Sequence, residues 1–140
     1  MEQKDYILRE IEKISTLILA LLGRLQRITG KNFFDQERGL IDEKLQESAG
    51  LTIDLIISTN TDELEALLTP RAGFTFDNIE LLADLLVGFS EYMYPEESLE
   101  SLNKAIYMLQ WIDRESKTFS MARQLKIADI EDRIKNGSGQ

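Results

Sequence analysis

The chain contains no cysteine and no histidine. Without cysteine there is no disulfide, no thiolate nucleophile and no thiolate metal site. Without histidine the usual proton shuttle near neutral pH and the commonest metal ligand are both missing. Only two prolines occur in 140 residues, so few positions forbid a helix. Bases are also scarce: 16 against 25 acids, for a net charge of −9. That balance opposes binding to a nucleic-acid backbone, where a basic stripe is expected. Long apolar runs are absent as well. The longest, Leu17 to Leu22, falls far short of the ~20 residues a membrane-spanning helix needs. The opening Met1-Glu2-Gln3-Lys4-Asp5 lacks the positive start of a secretory signal. The sequence therefore reads as cytoplasmic, without cofactor or metal, and without membrane or nucleic-acid partners.

What is present is aliphatic residues at helical spacing. Ile7, Ile11, Ile14, Ile18, Leu21, Leu25 and Ile28 recur every three or four residues from Asp5 to Ile28, which places them on one side of a helix. Leu8, Leu17 and Leu22 widen that stripe beyond a coiled-coil seam. The helix would be on the order of 35 Å long. Thr29-Gly30 marks its end, because glycine accepts the left-handed closing conformation. The stripe has two uses: as the central strut of one core, or as a surface shared with a second copy in a homodimer.

A second helix is expected over Asn32–Ser48, from about Asp35, burying Leu40, Ile41 and Leu45. Leu51–Ser58 is assigned to helix although Thr52, Ile53, Ile56 and Ile57 are β-branched, because no other strand candidate exists to pair with it. Asn60 and Glu63 open a further helix as cap and reaching glutamate, with Leu64, Leu67 and Leu68 inward until Pro70. Asp77 and Glu80 form a second capping pair, with Phe76 and Leu81 as a hydrophobic staple. That helix runs to about Met93, facing Ile79, Leu82, Ala83, Leu86 and Phe89 or Ser90 inward. Pro95 starts the next, burying Leu99, Leu102, Ile106, Leu109 and Trp111 or Ile112, with a break at Asp113–Ser116. Phe119, Ala122, Leu125, Ile130 and Ile134 mark a last helix to about Lys135. The expectation is all-α: one domain over 1–135, an irregular bundle of six or seven helices, with 136–140 a mobile polar tail.

The charge is uneven. Leu51–Asn103 holds eleven acids against one base, Arg71, while the flanks nearly balance. Such a segment is either a set of solvated helix faces or an acidic surface attracting a basic peptide.

No catalytic constellation emerges. Ser101 and Lys104 match Ser-x-x-Lys, in which lysine can take the hydroxyl proton. The companion motifs are missing, and the pair reads as solvated helix surface. The acid pairs Asp62-Glu63 and Glu96-Glu97 stand in first turns, where free backbone donors favour acids for structural reasons. A bundle metal site would need histidine beside its carboxylates.

Residues 79–111 resemble one tetratricopeptide hairpin. Leu85 and Phe89 match its first-helix leucine and aromatic positions, and Ser98, Leu102 and Ala105 its small-large-small second helix. Leu86 departs from the usual glycine, and Gln110 from the closing proline. The whole chain also resembles an uncharacterised family of small bacterial helical proteins. The resemblance rests on Asp5-Tyr6-Ile7-Leu8-Arg9 opening a long amphipathic helix, on the leucine-rich middle, and on this hairpin. It implies an all-helical fold and a bacterial origin, and brings no catalytic residues.

Tyr92-Met93-Tyr94-Pro95, with Trp111 across the hairpin, concentrates the aromatics. Either they pack a helix corner, or some form a platform beside Glu91, Glu96 and Glu97 for a partner carrying Arg or Lys. The expected function is a non-catalytic protein–protein interaction or adaptor module presenting a helical, acidic surface. Glu91, Tyr92, Tyr94 and Glu97 are its candidate contact residues. The alternative is a small-molecule binder or unusual enzyme using Ser, Lys, Tyr and carboxylates in a bundle pocket.

Overall fold

The computed structural model describes residues 2–28 and 31–138. Among these the chain is all-α, with seven helices and no strand. They are α1 (Glu2–Gln26), α2 (Lys31–Ala49), α3 (Ile53–Ser58), α4 (Thr61–Leu68), α5 (Phe76–Ser90), α6 (Pro95–Ser116) and α7 (Met121–Ser138). The expected stop at Thr29-Gly30 lies outside the described residues, as do Gly139 and Gln140 at the end of the expected tail. Helix α7 runs three residues beyond Lys135 and takes in Asn136–Ser138.

Helix α5 is the axis of the fold. The Asn78 side chain donates to the Ile11 carbonyl at 3.0 Å, and a Cβ on Gly88 would run into Leu25. Those two points fix α1 parallel to α5. Helix α6 returns antiparallel: Ser101 Oγ donates to the Leu86 carbonyl at 2.7 Å and Ser98 Oγ to Ser90 at 2.9 Å. Small residues at Ser98, Ser101 and Ala105 let the two backbones approach, and the hydroxyls satisfy carbonyls along the seam. Helix α7 lies parallel to α5 again. Helix α1 therefore packs on α5, while α7 packs on α6 and reaches the α5 side through ion pairs.

The α1 stripe is buried only where α5 covers it. Ile14, Ile18, Leu21 and Leu25 are all in the core, whereas Ile7 and Leu8 are exposed. Helix α5 begins only opposite Ile11, so the first turns of α1 project past it. The tight approach of the loop before α5 requires Gly73. Any Cβ there would meet Ile14 and stand 2.9 Å from the Glu10 carbonyl oxygen.

Several boundaries differ from the sequence reading, each for a local reason. Helix α2 starts four residues before Asp35, because Phe34 drives its first turn into the core at 1% exposure, while Leu40 is only half-buried. The cap of α5 is Thr75, whose hydroxyl accepts from Asn78 N at 3.3 Å; Asp77 sits in the first turn instead. Phe76 is therefore helical and meets Trp111 edge-on at 6.1 Å rather than stapling Leu81. Asn60 flanks α4 without a side-chain cap bond. Helix α5 stops at Ser90, and the Ser90 hydroxyl folds back onto the Val87 carbonyl. Helix α6 continues through Asp113 to Ser116 and ends where Lys117 turns left-handed at φ 55°. Leu99 is exposed, and both Trp111 and Ile112 are buried. On α7 the inward side is Arg123, Ile127, Ile130 and half-buried Ile134, so Phe119, Ala122 and Leu125 face out.

Not every glycine is required. A Cβ at Gly39, inside α2, would meet nothing within 4 Å. Gly39→Ala is therefore expected to stabilise the protein by about 0.5–1 kcal/mol, through chain entropy alone. Urea midpoints of the two proteins check this; a loss of stability would show that α2 lacks the open space assigned to it.

Candidate functional site

The acidic middle segment is neutralised from within. Arg38 grips Glu97 through two nitrogens, at 2.8 and 2.7 Å, and also bonds Asp54. Arg114 bonds Glu65 at 2.8 Å, and the Tyr107 hydroxyl donates to the same carboxylate. Arg123 and Lys126 bond Glu80, Lys126 also bonds Asp84 at 3.1 Å, and Arg133 bonds Glu91 at 3.2 Å. Lys104 bonds Glu100 at 3.3 Å. Seven of the eleven acids thus meet a base, and every one of those bases comes from the flanking segments. The other four, Asp62, Glu63, Asp77 and Glu96, stand in first turns of α4, α5 and α6. Arg71, the segment's one base, spans the ends of α2 and α4 by donating to the carbonyls of Ala49, Gly50 and Leu67.

The four candidate contact residues do not share one surface. Tyr92 is half-buried, stacks on Phe34 at 5.1 Å, and donates its hydroxyl to the Ile28 carbonyl at 3.3 Å. It fixes the helix corner. Glu97 turns toward α2 and Arg38. Glu91 turns toward α7 and Arg133. Tyr94, 71% exposed, stands at the start of α6. Trp111, named with them, is buried beside Phe76.

A groove that the sequence reading missed opens next to Tyr94. Met93, Leu99, Leu102 and Ile134 supply its apolar walls, and Glu96 and Arg133 its charged rim; its volume is about 400 Å³. It lies where the start of α6 faces the end of α7. Leu99 was the signal: it falls on the hairpin's apolar stripe, yet it stays 39% exposed beside the end of α7. Ser101 and Lys104 are not solvated surface, as their spacing implied. Both are buried, Ser101 donating to Leu86 and Lys104 Nζ to the Ile57 carbonyl at 3.0 Å. Their polar atoms are committed to structure, and neither lines the groove.

Electrostatics follow the same contacts. The Arg38 hydrogen bond holds the Glu97 carboxyl below the usual glutamate range, against its partial burial. Burial pushes Asp84 up, with Lys126 opposing the shift. Since the folded-state pKa of Glu97 is lowered, its stabilisation is present above the ordinary glutamate pKa and lost as pH falls through the folded one. Glu97→Gln should cost about 1 kcal/mol at pH 7, discounted for the water that still reaches the side chain. The difference should close in acid, as thermal melts from pH 7 to pH 2.5 would show. A gap that stays constant with pH would remove Arg38–Glu97 from the account.

Among the described residues, no group of three or more acidic side chains is placed to hold a metal ion. No helix there is long and apolar enough to cross a membrane. Comparison with protein families, with curated proteins and with solved structures gives no match to this chain.

Proposed function

We propose that the protein is a non-catalytic interaction module whose docking site is the groove between the start of α6 and the end of α7. The observation that carries this reading is Leu99, exposed on an otherwise buried helix stripe and bordered by Met93, Leu102 and Ile134. Tyr94, exposed between the groove residues Met93 and Pro95 in the chain, supplies an aromatic of the kind that anchors interfaces. An apolar side chain from a partner helix or extended peptide would seat against Leu99, with Glu96 and Arg133 fixing its orientation. The acidity of the middle segment contributes less to this reading than its composition implied, because the chain's own bases engage most of it.

In this proposal the antiparallel α5–α6 pair serves as a tetratricopeptide-like hairpin, and the module is a cytoplasmic protein of the small bacterial helical kind it resembles. The commitment of Ser101 and Lys104 to backbone carbonyls favours an adaptor over a bundle-pocket enzyme.

The test is a photo-crosslinking residue at position 99, with Tyr94→Ala as the disruptive variant. Tyr92→Ala is unsuitable, because its stacking on Phe34 confounds binding with folding. The expected result is one or a few defined adducts in the source cell that weaken at least fivefold with Tyr94→Ala. Adducts identical to those from a crosslinker at Asp62, on α4, would overturn the assignment.

A further inference from the structure

Helix α7 adds Ile127 and Ile130 to the core and meets the α5–α6 hairpin with a row of bases. Its inward face presents Arg123, Lys126, Ile127, Ile130, Arg133 and Ile134. The cations meet Glu80 and Asp84 on α5, Glu91 just after it and Asp113 on α6. Every one of these partners precedes the α6–α7 connection. The seat therefore recognises any helix carrying this pattern of bases and isoleucines, and a second copy of the chain carries it by definition.

The connection is short and strained. Only residues 117–120 separate α6 from α7. Lys117 is the one non-glycine residue at positive φ among the described residues, at 55°. A left-handed L-residue costs roughly 1–2 kcal/mol, and short strained hinges invite exchange of the element beyond them. The same hinge carries an apolar cluster that the folded chain leaves outside. Phe119, Met121 and Leu125 are 73%, 62% and 64% exposed.

We propose that two copies exchange α7, each helix seating on the α5–α6 hairpin of the other. The ion pairs and isoleucine contacts are remade unchanged, so exchange costs little in contacts. Lys117 leaves its left-handed conformation as the hinge opens. Two hinges then cross, and Phe119 and Met121 from both copies cover one another. The groove beside Leu99 becomes composite, with Leu99 and Met93 from one copy and Arg133 and Ile134 from its partner. This assembly does not depend on what the groove binds.

Light scattering across a range of loadings should show a dimer that exchanges slowly with monomer. Lys117→Gly relieves the hinge in both copies and should lower the dimer association constant by roughly thirtyfold or more. The chain's lack of cysteine allows a direct trap. Glu91→Cys/Arg133→Cys, treated with a short bis-maleimide, should give covalent dimers from the dimer fraction. A second test mixes Asp84→Lys/Glu91→Arg with Lys126→Glu/Arg133→Glu. Each variant is mismatched alone and matched only by exchange, so the mixed dimer should exceed either homodimer more than tenfold. Monomer alone up to about 1 mM overturns the proposal. So does a dimer whose cross-links stay within each copy, or a purely statistical mixture of the charge-reversed variants.

Discussion

Phe89→Ala is expected to lower the unfolding free energy by about 4 kcal/mol, with a melting temperature roughly 15 °C below that of the parent. Phe89 is fully buried and meets Phe34 edge-to-face at 5.2 Å. Phe34 in turn stacks on Tyr92, whose hydroxyl reaches the end of α1. The three rings therefore join α5, α2 and the corner after α5. The loss combines burial of the ring, edge-to-face attraction and an unfilled cavity. Phe89→Leu keeps most of the volume and should cost no more than about 1.5 kcal/mol. Phe119→Ala, at an exposed position, should stay within about 0.5 kcal/mol of the parent. Urea unfolding with unchanged denaturant slope would read all three. A Phe89→Ala loss below 1 kcal/mol would mean that the aromatic trio is not a core element.

That trio also shows how far sequence carries. Ile14, Ile18, Leu21 and Leu25 were legible because a repeat of three and four residues has one physical solution, an inward helix face. The same repeat does not say how far a neighbouring helix extends, so Ile7 was expected inside and is outside. Phe34 was missed because two adjacent aromatics, Phe33 and Phe34, gave no direction before the start of α2 was known. Helix α7 carries two apolar stripes: Met121 and Leu125 on one side, Ile127 and Ile130 on the other. Propensity ranks them equally. The choice was made by long bases that reach acids on α5 and α6, a tertiary event with no local signature. The pairing of the acidic middle was not legible for the same reason, since ion pairs between distant segments leave no mark on local composition. For the aromatics the sequence leaves corner packing and an exposed platform both open; Tyr92 takes the first and Tyr94 is exposed, a split that local pattern does not decide because a tyrosine at a helix corner can satisfy its hydroxyl on either side.

Arg123→Ala should cost about 3 kcal/mol at neutral pH, the scale expected when one member of a buried ion pair is removed. The side chain is 7% exposed. It donates to Asp113, to Glu80 and to the Thr118 carbonyl, so one guanidinium ties α7 to α6, α5 and the hinge. Its loss leaves Asp113 with the donor of Gln124 and Glu80 with that of Lys126. Arg123→Lys restores the charge without the planar fork and should recover about half of the loss. The pH dependence separates charge from packing. Burial pushes Asp113 up, but hydrogen bonds from Arg123 and Gln124 outweigh it and hold the carboxyl below the ordinary aspartate range. A lowered folded-state pKa means that its stabilisation is intact above the ordinary aspartate value and lost as pH falls through the folded one. The gap between parent and Arg123→Ala should therefore be widest near pH 7 and narrow steadily in acid. If Arg123→Met matched the parent at every pH, the guanidinium would be acting as an apolar stem. The ion pairs would then not be what seats α7, and the case for its exchange between copies would rest on the isoleucines alone.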